Sequence, residues 1–270
     1  MANQEHLKLL LAGAVTWTKW RNQNPEVDID LSNAHLQWEN LRGANLQNVN
    51  LNKVDLSNAL LVRTNFSQAN LSSAILSHAK LIEANFYQAN LTIANLSGAN
   101  LNRSDFSQVI LIGANLQSVN FQDAVITDAN LIGIDASYAN LKNSDLANSQ
   151  LIRSNLSFAT LIGANLIAAD LSEATLYEAE LMQCHVYQAN FYKANLTRSH
   201  LGSSYLFRAN LSEANLTNAD LSWCNLKYAN LAGANLTAAN LRGANLTGAN
   251  LTGANLTDTI MPKADNDLFS

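Results

Sequence analysis

The sequence predicts an all-β solenoid of four-sided coils, about 11–12 of them, capped at its N-terminal end by an α-helix. Three observations carry this expectation. Leucine recurs at every fifth residue without a slip, outward charges complement one another at a separation of twenty, and large core aromatics repeat at that same interval.

The leucine period comes first. From Leu31 to Leu256 the register holds through (256 − 31)/5 + 1 = 46 pentads, of which 38 centre on Leu and 5 on Phe, the other three being Ile126, Ala136 and Val186. A step of five gathers no single face on a helix and sends alternate residues to opposite sides of a strand, so the chain has to bend between leucines. Two residues before the Leu stands Ala in 30 of the 46 pentads, and between them mostly Asn or Asp. Leu and the small residue point inward. Asn or Asp, whose side chain bonds nearby backbone, is expected where the chain turns. The two residues after the Leu face water.

The number of sides follows from charge. Residues one coil apart are cross-strand neighbours, where opposite charges help and like charges hurt. Among residues two after each Leu, a separation of twenty gives seven opposite pairs and no like pair: Arg63–Glu83–Arg103–Asp123, Arg153–Glu173–Lys193–Glu213, and Glu178–Arg198. A separation of fifteen gives two opposite pairs and one like pair; twenty-five gives four opposite pairs. Phe66, Phe86 and Phe106 stack directly if the coil holds twenty residues. At roughly 4.8 Å per coil the rod is about 55 Å long.

Three segments result: a helical cap over 1–28, the repeat over 29–257 and a tail over 258–270. The cap is expected as one helix over 4–22, with Asn3 as N-cap and Leu7, Leu10, Leu11, Ala14 and Trp17 on one stripe. Leu9 and Trp20 fall off that stripe, and Asn24-Pro25 ends the helix. Ala136 and Ile134 have exchanged sizes relative to the repeat, which implies either a packing defect compensated in place or a local bulge.

Charged residues are 14% of the chain and the net charge is −5, a balance that excludes a basic nucleic-acid surface. The longest apolar run near the start, Leu9–Val15, is too short for a membrane helix, so a cytoplasmic chain without membrane contact is expected. The motifs of nucleotide and nucleophile sites are absent. His6, His35, His78, His185 and His200 do not cluster. Cys184 and Cys224 occupy inward positions two coils apart, roughly 10 Å, too far for a disulfide. Cys184 and His185 point opposite ways and make no metal pair. A filled leucine column leaves no concave site, so no enzyme, cofactor or metal is expected.

The run "ANLTGANLTGANL" and its 46-fold continuation resemble the pentapeptide-repeat family, whose motif is A(N/D)LXX, over residues 29–256. The resemblance implies a right-handed quadrilateral β-helix; the handedness comes from the family. "WTKWRNQNPEVDIDLSNAHL" resembles cyanobacterial members. Some relatives in filamentous cyanobacteria are implicated in regulating heterocyst differentiation. Others resemble a DNA duplex in shape and charge and bind DNA gyrase, some of them as dimers joined at their C-terminal ends. Here outward acids alternate with Arg and Lys, so the first expectation is a non-enzymatic protein-binding scaffold and gyrase mimicry is the alternative. In the tail, Ile260, Met261, Leu268 and Phe269 either cover the last coil or leave it open to a second copy, giving a monomer or a C-terminal-end dimer.

The partner surface is sought where large apolar residues break a polar exterior. Ile112, Ile132 and Ile152 stack over three coils, with Tyr138 and Phe158 on the adjoining face, and these form the first candidate. The second is Tyr187 with Phe207, beside Arg208 and Tyr228.

Overall fold

A computed structural model describes residues 2–262 of the chain. Two helices open it, α1 (Gln4–Leu11) and α2 (Ala14–Gln23). Everything after them is coil upon coil. Parallel one-residue bridges join residues twenty apart, every five residues from Asp30 with Asn50 to Asn240 with Ile260. Four five-residue sides therefore make each coil. The bridge to Ile260 carries the repeat geometry beyond Leu256.

The pentad explains itself once each backbone N–H is given its acceptor. In the second coil, Asn50 N donates back to Ile29 O at 2.9 Å, while Leu51 N and Lys53 N donate forward to Asn70 O and Ser72 O at 2.7 and 3.0 Å. Val54 N closes a turn onto Leu51 O at 3.0 Å. The remaining N–H, of Asn52, goes to the Asn50 side-chain oxygen at 3.2 Å. This is why Asn or Asp precedes the Leu. Its amide also donates along the rod, as Asn50 Nδ2 does to Asp30 Oδ1 at 3.0 Å.

One expectation is corrected here. Asn and Asp do not sit where the chain turns; they form the bridges on the flat sides. The turn falls on the two residues after the Leu, and the second of these has positive φ in every pentad, as Lys53 (56°) and Arg63 (57°) do. A turn with positive φ only at its third residue is of type II. His185 and His200, which occupy the same repeat position as Asn and Asp, accordingly lie on flat sides.

The core is a column of fully buried leucines with small residues between them. Each is worth roughly 1.5–3 kcal/mol before conformational entropy is charged. Phe66 stacks on Phe86 at 4.8 Å and Phe86 on Phe106 at 4.5 Å between centroids, as a coil of twenty requires. Most inward hydroxyls donate to turn carbonyls, for example Ser104 Oγ to Leu101 O at 2.6 Å and Thr64 Oγ1 to Leu41 O at 2.9 Å, while the buried Ser154 Oγ has no such partner.

The cap differs from a single helix. Gly13, at φ +105°, breaks it in two. Asn3 is the N-cap, its oxygen accepting from Glu5 N at 2.9 Å, and its own N–H donates to Asp30 O at 2.9 Å. Leu10 and Trp17 are fully buried over the first coil. The Trp17 indole donates to Asn45 O at 2.6 Å and Arg21 to Gln47 O at 2.7 Å. Leu11, on the expected stripe, is 47% exposed, while Leu9 in α1 and Trp20 in α2, both off it, pack against the core.

The Ile134/Ala136 exchange causes no bulge: Asp135 bridges Asn115 and Asn155 in register. A cavity of about 10 Å³ is left among Leu116, Phe121, Leu131, Ala136, Leu156 and their neighbours. At the far end, the core thins: Leu246 and Leu251 are only partly buried and Leu256 is 38% exposed. Leu268 and Phe269 lie outside the described residues.

Candidate partner-binding surface

The exterior consists of four sides bearing the bridge residues and four turns bearing the outward pairs. Most of it is amide and hydroxyl. The charges pair less often than their register allows. Arg63–Glu83 (2.6 Å), Arg153–Glu173 (2.9 Å), Lys193–Glu213 (3.5 Å) and Glu178–Arg198 (3.1 Å) close. Glu83–Arg103, Arg103–Asp123 and Glu173–Lys193 stand one coil apart without closing. A carboxylate already gripped from one side gains little by reaching to the other, and Asp123 instead accepts from Asn143 at 3.2 Å.

Ile112, Ile132 and Ile152 follow one turn up the rod, Ile112 39% exposed and the others half-buried. Tyr138 and Phe158 follow the next turn, stacked at 4.8 Å with 8° between rings. The two columns are not continuous. They border one side whose centre carries Asp135, which accepts from Gln117 at 2.6 Å and Asn155 at 3.1 Å. Burial pushes the Asp135 carboxyl up, but the bonds from Ser137, Gln117 and Asn155 outweigh it and hold it below its ordinary value. Sequence reading missed three members of this surface. Ile93, 67% exposed at φ 59°, lies on the same turn one coil before Ile112, Ile110 lies on the flat side leading into that turn and bridges Asn90 and Asn130, and Tyr177 meets Phe158 edge-on at 5.5 Å. A β-branched residue in a turn position was the available signal for Ile93.

The second candidate is also assembled. Tyr187 stacks on Phe207 at 5.8 Å, Phe207 meets Tyr228 edge-on at 5.7 Å, and the Arg208 guanidinium lies 5.4 Å from the Phe207 ring. His185 stacks on Tyr205 at 5.6 Å on the adjoining side.

Chemistry in the core is confined. Cys184 and Cys224 are buried thiols that donate to Leu161 O and Leu201 O, each at 3.0 Å. Burial pushes both up to about 12. Among the described residues no group of three or more His, Cys, Asp or Glu could hold a metal ion, and no helix is long and apolar enough to cross a membrane.

A filled four-sided coil built of pentads, with its features on the outside, defines a solenoid repeat protein. The model of pentapeptide repeats (8 copies) matches successive stretches from 29–68 to 219–258, and the chain belongs to the pentapeptide-repeat family. It is similar to HetL of the cyanobacterium Nostoc sp. strain PCC 7120, a pentapeptide repeat protein involved in heterocyst differentiation regulation. The identity is 30%, covering 91% of this chain and 96% of HetL, with a TM-score of 0.44. Rfr23 of the cyanobacterium Cyanothece 51142 is 28% identical over 51% of this chain and 90% of its own, with a TM-score of 0.24. QnrB1, a plasmid-mediated fluoroquinolone resistance protein, is 18% identical over 84% of this chain and 91% of its own, with a TM-score of 0.30. No curated protein matches the chain.

Proposed function

We propose that the chain is a non-enzymatic scaffold whose rigid exterior binds a partner protein through Ile112, Ile132, Ile152, Tyr138 and Phe158. The observation that supports this is the pair of apolar columns on one side of a surface otherwise made of amides and hydroxyls. Rings and branched chains held by coil-to-coil stacking lose little conformational freedom on binding, which favours them as anchors. The involvement of HetL in heterocyst differentiation regulation gives the proposal its biological form, a regulatory one, and leaves the partner open. Within this reading the coil is right-handed as in the family, and the chain works in the cytoplasm as a monomer or a C-terminal-end dimer. It takes no cofactor and makes no direct contact with nucleic acid or membrane.

The alternative is a mimic of duplex DNA that binds DNA gyrase. The ion pairs weigh against it, because Arg63, Arg153, Lys193 and Arg198 each neutralise a carboxylate that a mimic would leave bare. Two measurements decide. Ile132→Glu with Phe158→Glu is to be compared with the wild type for melting and for capture of partners from the native cell extract. Inhibition of gyrase supercoiling is assayed alongside. A folded double variant that keeps every partner sinks the proposed site, and gyrase inhibition by the wild type establishes the alternative.

A further inference from the structure

The side that carries His185, Tyr205, Asn225 and Asn245, together with the turns that bound it, differs from the rest of the exterior. Across residues 182–188, 202–208, 222–228 and 242–248 there is no Asp or Glu, while Arg208, Lys227 and Arg242 are present, in a chain of net charge −5. Among the described residues none of these three cations has a carboxylate partner. Lys227 and Arg208 lie instead 5.2 Å from the Tyr228 ring and 5.4 Å from the Phe207 ring. The aromatics here are also among the most exposed of the molecule: Trp223 66%, Tyr205 55% and Tyr228 50%. Trp223 and Tyr228 flank Asn225 on its two turns. Both are seated on glycines of the next coil, since a Cβ on Gly243 or Gly248 would come within 2.5 Å of the respective ring.

We infer that this side docks an acidic peptide segment of a partner protein, with Arg208, Lys227 and Arg242 taking its carboxylates and Tyr205, Trp223 and Tyr228 its apolar side chains. The inference rests on the reading of the chain as a binding scaffold and adds a second surface to it. Charge complementarity selects an acidic partner. The ring geometry selects protein over single-stranded nucleic acid. Bases bind aromatic side chains by stacking on open faces. Here His185 covers one face of Tyr205 with 4° between planes, and Tyr187 covers Phe207 with 19°. Rings so covered offer less open face to a base and leave their edges to pack against the apolar side chains of a peptide.

The test uses the full chain and a fluorescein-labelled peptide of alternating glutamate and leucine, with a lysine–leucine peptide and oligo-dT as comparisons, read by anisotropy. The acidic peptide should bind, weaken steeply with salt, and bind about tenfold less tightly to Arg208→Glu with Lys227→Glu. Trp223→Ser with Tyr228→Ser should weaken it as well. Ile132→Glu with Phe158→Glu should leave it unchanged, so the two surfaces fail separately. Equal binding of the basic peptide, indifference to charge reversal, or tighter binding of oligo-dT would overturn the inference. So would binding that emerges only after removal of residues 263–270, which would make the chain's own terminus the occupant.

Discussion

The indole of Trp223 lies across Gly243, one coil further along the rod: a Cβ built on Gly243 would meet Trp223 Cε3 at 2.5 Å and Cζ3 at 2.7 Å. Gly253, near the same end, has the same φ of +69° and nothing within 4 Å of such a Cβ. Alanine at either glycine costs about 1–2 kcal/mol for the left-handed backbone. Only Gly243→Ala should also displace the ring, since an exposed indole gives way before the backbone does. Trp emission should therefore change in Gly243→Ala and not in Gly253→Ala. Identical spectra would mean the ring does not rest there.

Trp17 ties the cap to the first coils through complete burial and its bond to Asn45 O. Trp17→Ala should cost about 3–5 kcal/mol, locally. Coils contact only their neighbours, so amide exchange should quicken near residues 30–60 and remain slow beyond residue 150. Removing residues 1–24 should go further and cause aggregation, because it uncovers Leu31 and Leu36. Uniform loss of protection along the rod, or a soluble truncated chain with unchanged melting, would show that the helices do not act as a cap.

How much of this was legible follows from the kind of signal each feature leaves. The coil of twenty was readable because Arg63 and Glu83, or Phe66 and Phe86, are neighbours only at that period. The turn was misplaced because Asn bonds local backbone in many settings. Which N–H it serves, that of Asn52 from Asn50, depends on where the other four N–H groups of the pentad go. The helix break at Gly13 was hidden because the apolar spacing runs straight through it. Ile132 and Tyr138 stand out in the sequence by their size, but Asp135 between them reads as one more repeat residue until its side is drawn out. The seats of Trp223 and Tyr228 were missed because glycine in this repeat reads as filler.

Seven aspartates stand where the repeat usually has Asn, and at three of them, Asp30, Asp55 and Asp135, the carboxyl is held below its ordinary value. For Asp30 the leading cause is the Ser32 N–H, at 2.9 Å. For Asp55 and Asp135 burial raises the value, and the bonds from Ser57 with Gln37 and from Ser137 with Gln117 and Asn155 outweigh it. A carboxyl depressed in the folded state contributes stability above its unfolded value, near 3.9, and loses it as pH falls through the folded value. Melting should thus be level from pH 7 to 5 in this respect and decline below about 4. Asn at positions 30, 55 and 135 keeps the acceptor oxygen and removes the proton, so the triple variant should decline less. An unchanged acid slope would refute the assignment.

The two thiols give a simple measure of core integrity. With Cys184 and Cys224 buried and pushed up to about 12, almost no thiolate exists at pH 8. A thiol reagent such as DTNB should modify neither in the native chain and both in denaturant. Rapid modification of the native chain would mean the column opens around those coils.

The exchanged pair Ile134 and Ala136 tests whether the column is filled by size or by order. The cavity left beside Ala136 is about 10 Å³. At about 24 cal/mol per Å³ it costs only on the order of 0.2 kcal/mol, so Ile134 already occupies most of the space that a leucine at 136 would take. Ala136→Leu alone therefore adds three carbons where there is room for none, and should destabilise by about 1–3 kcal/mol through overpacking. Ile134→Ala alone should enlarge the cavity and cost about 2–5 kcal/mol. The double variant restores the small-then-large order of the neighbouring pentads. It should melt near the wild type, far from the sum of the two single losses, because the substituted side chains share one space. Denaturant unfolding of all four proteins reads this directly. If Ala136→Leu by itself raised the midpoint, the side would have more free volume than the structure shows and Ile134 would not be its compensation.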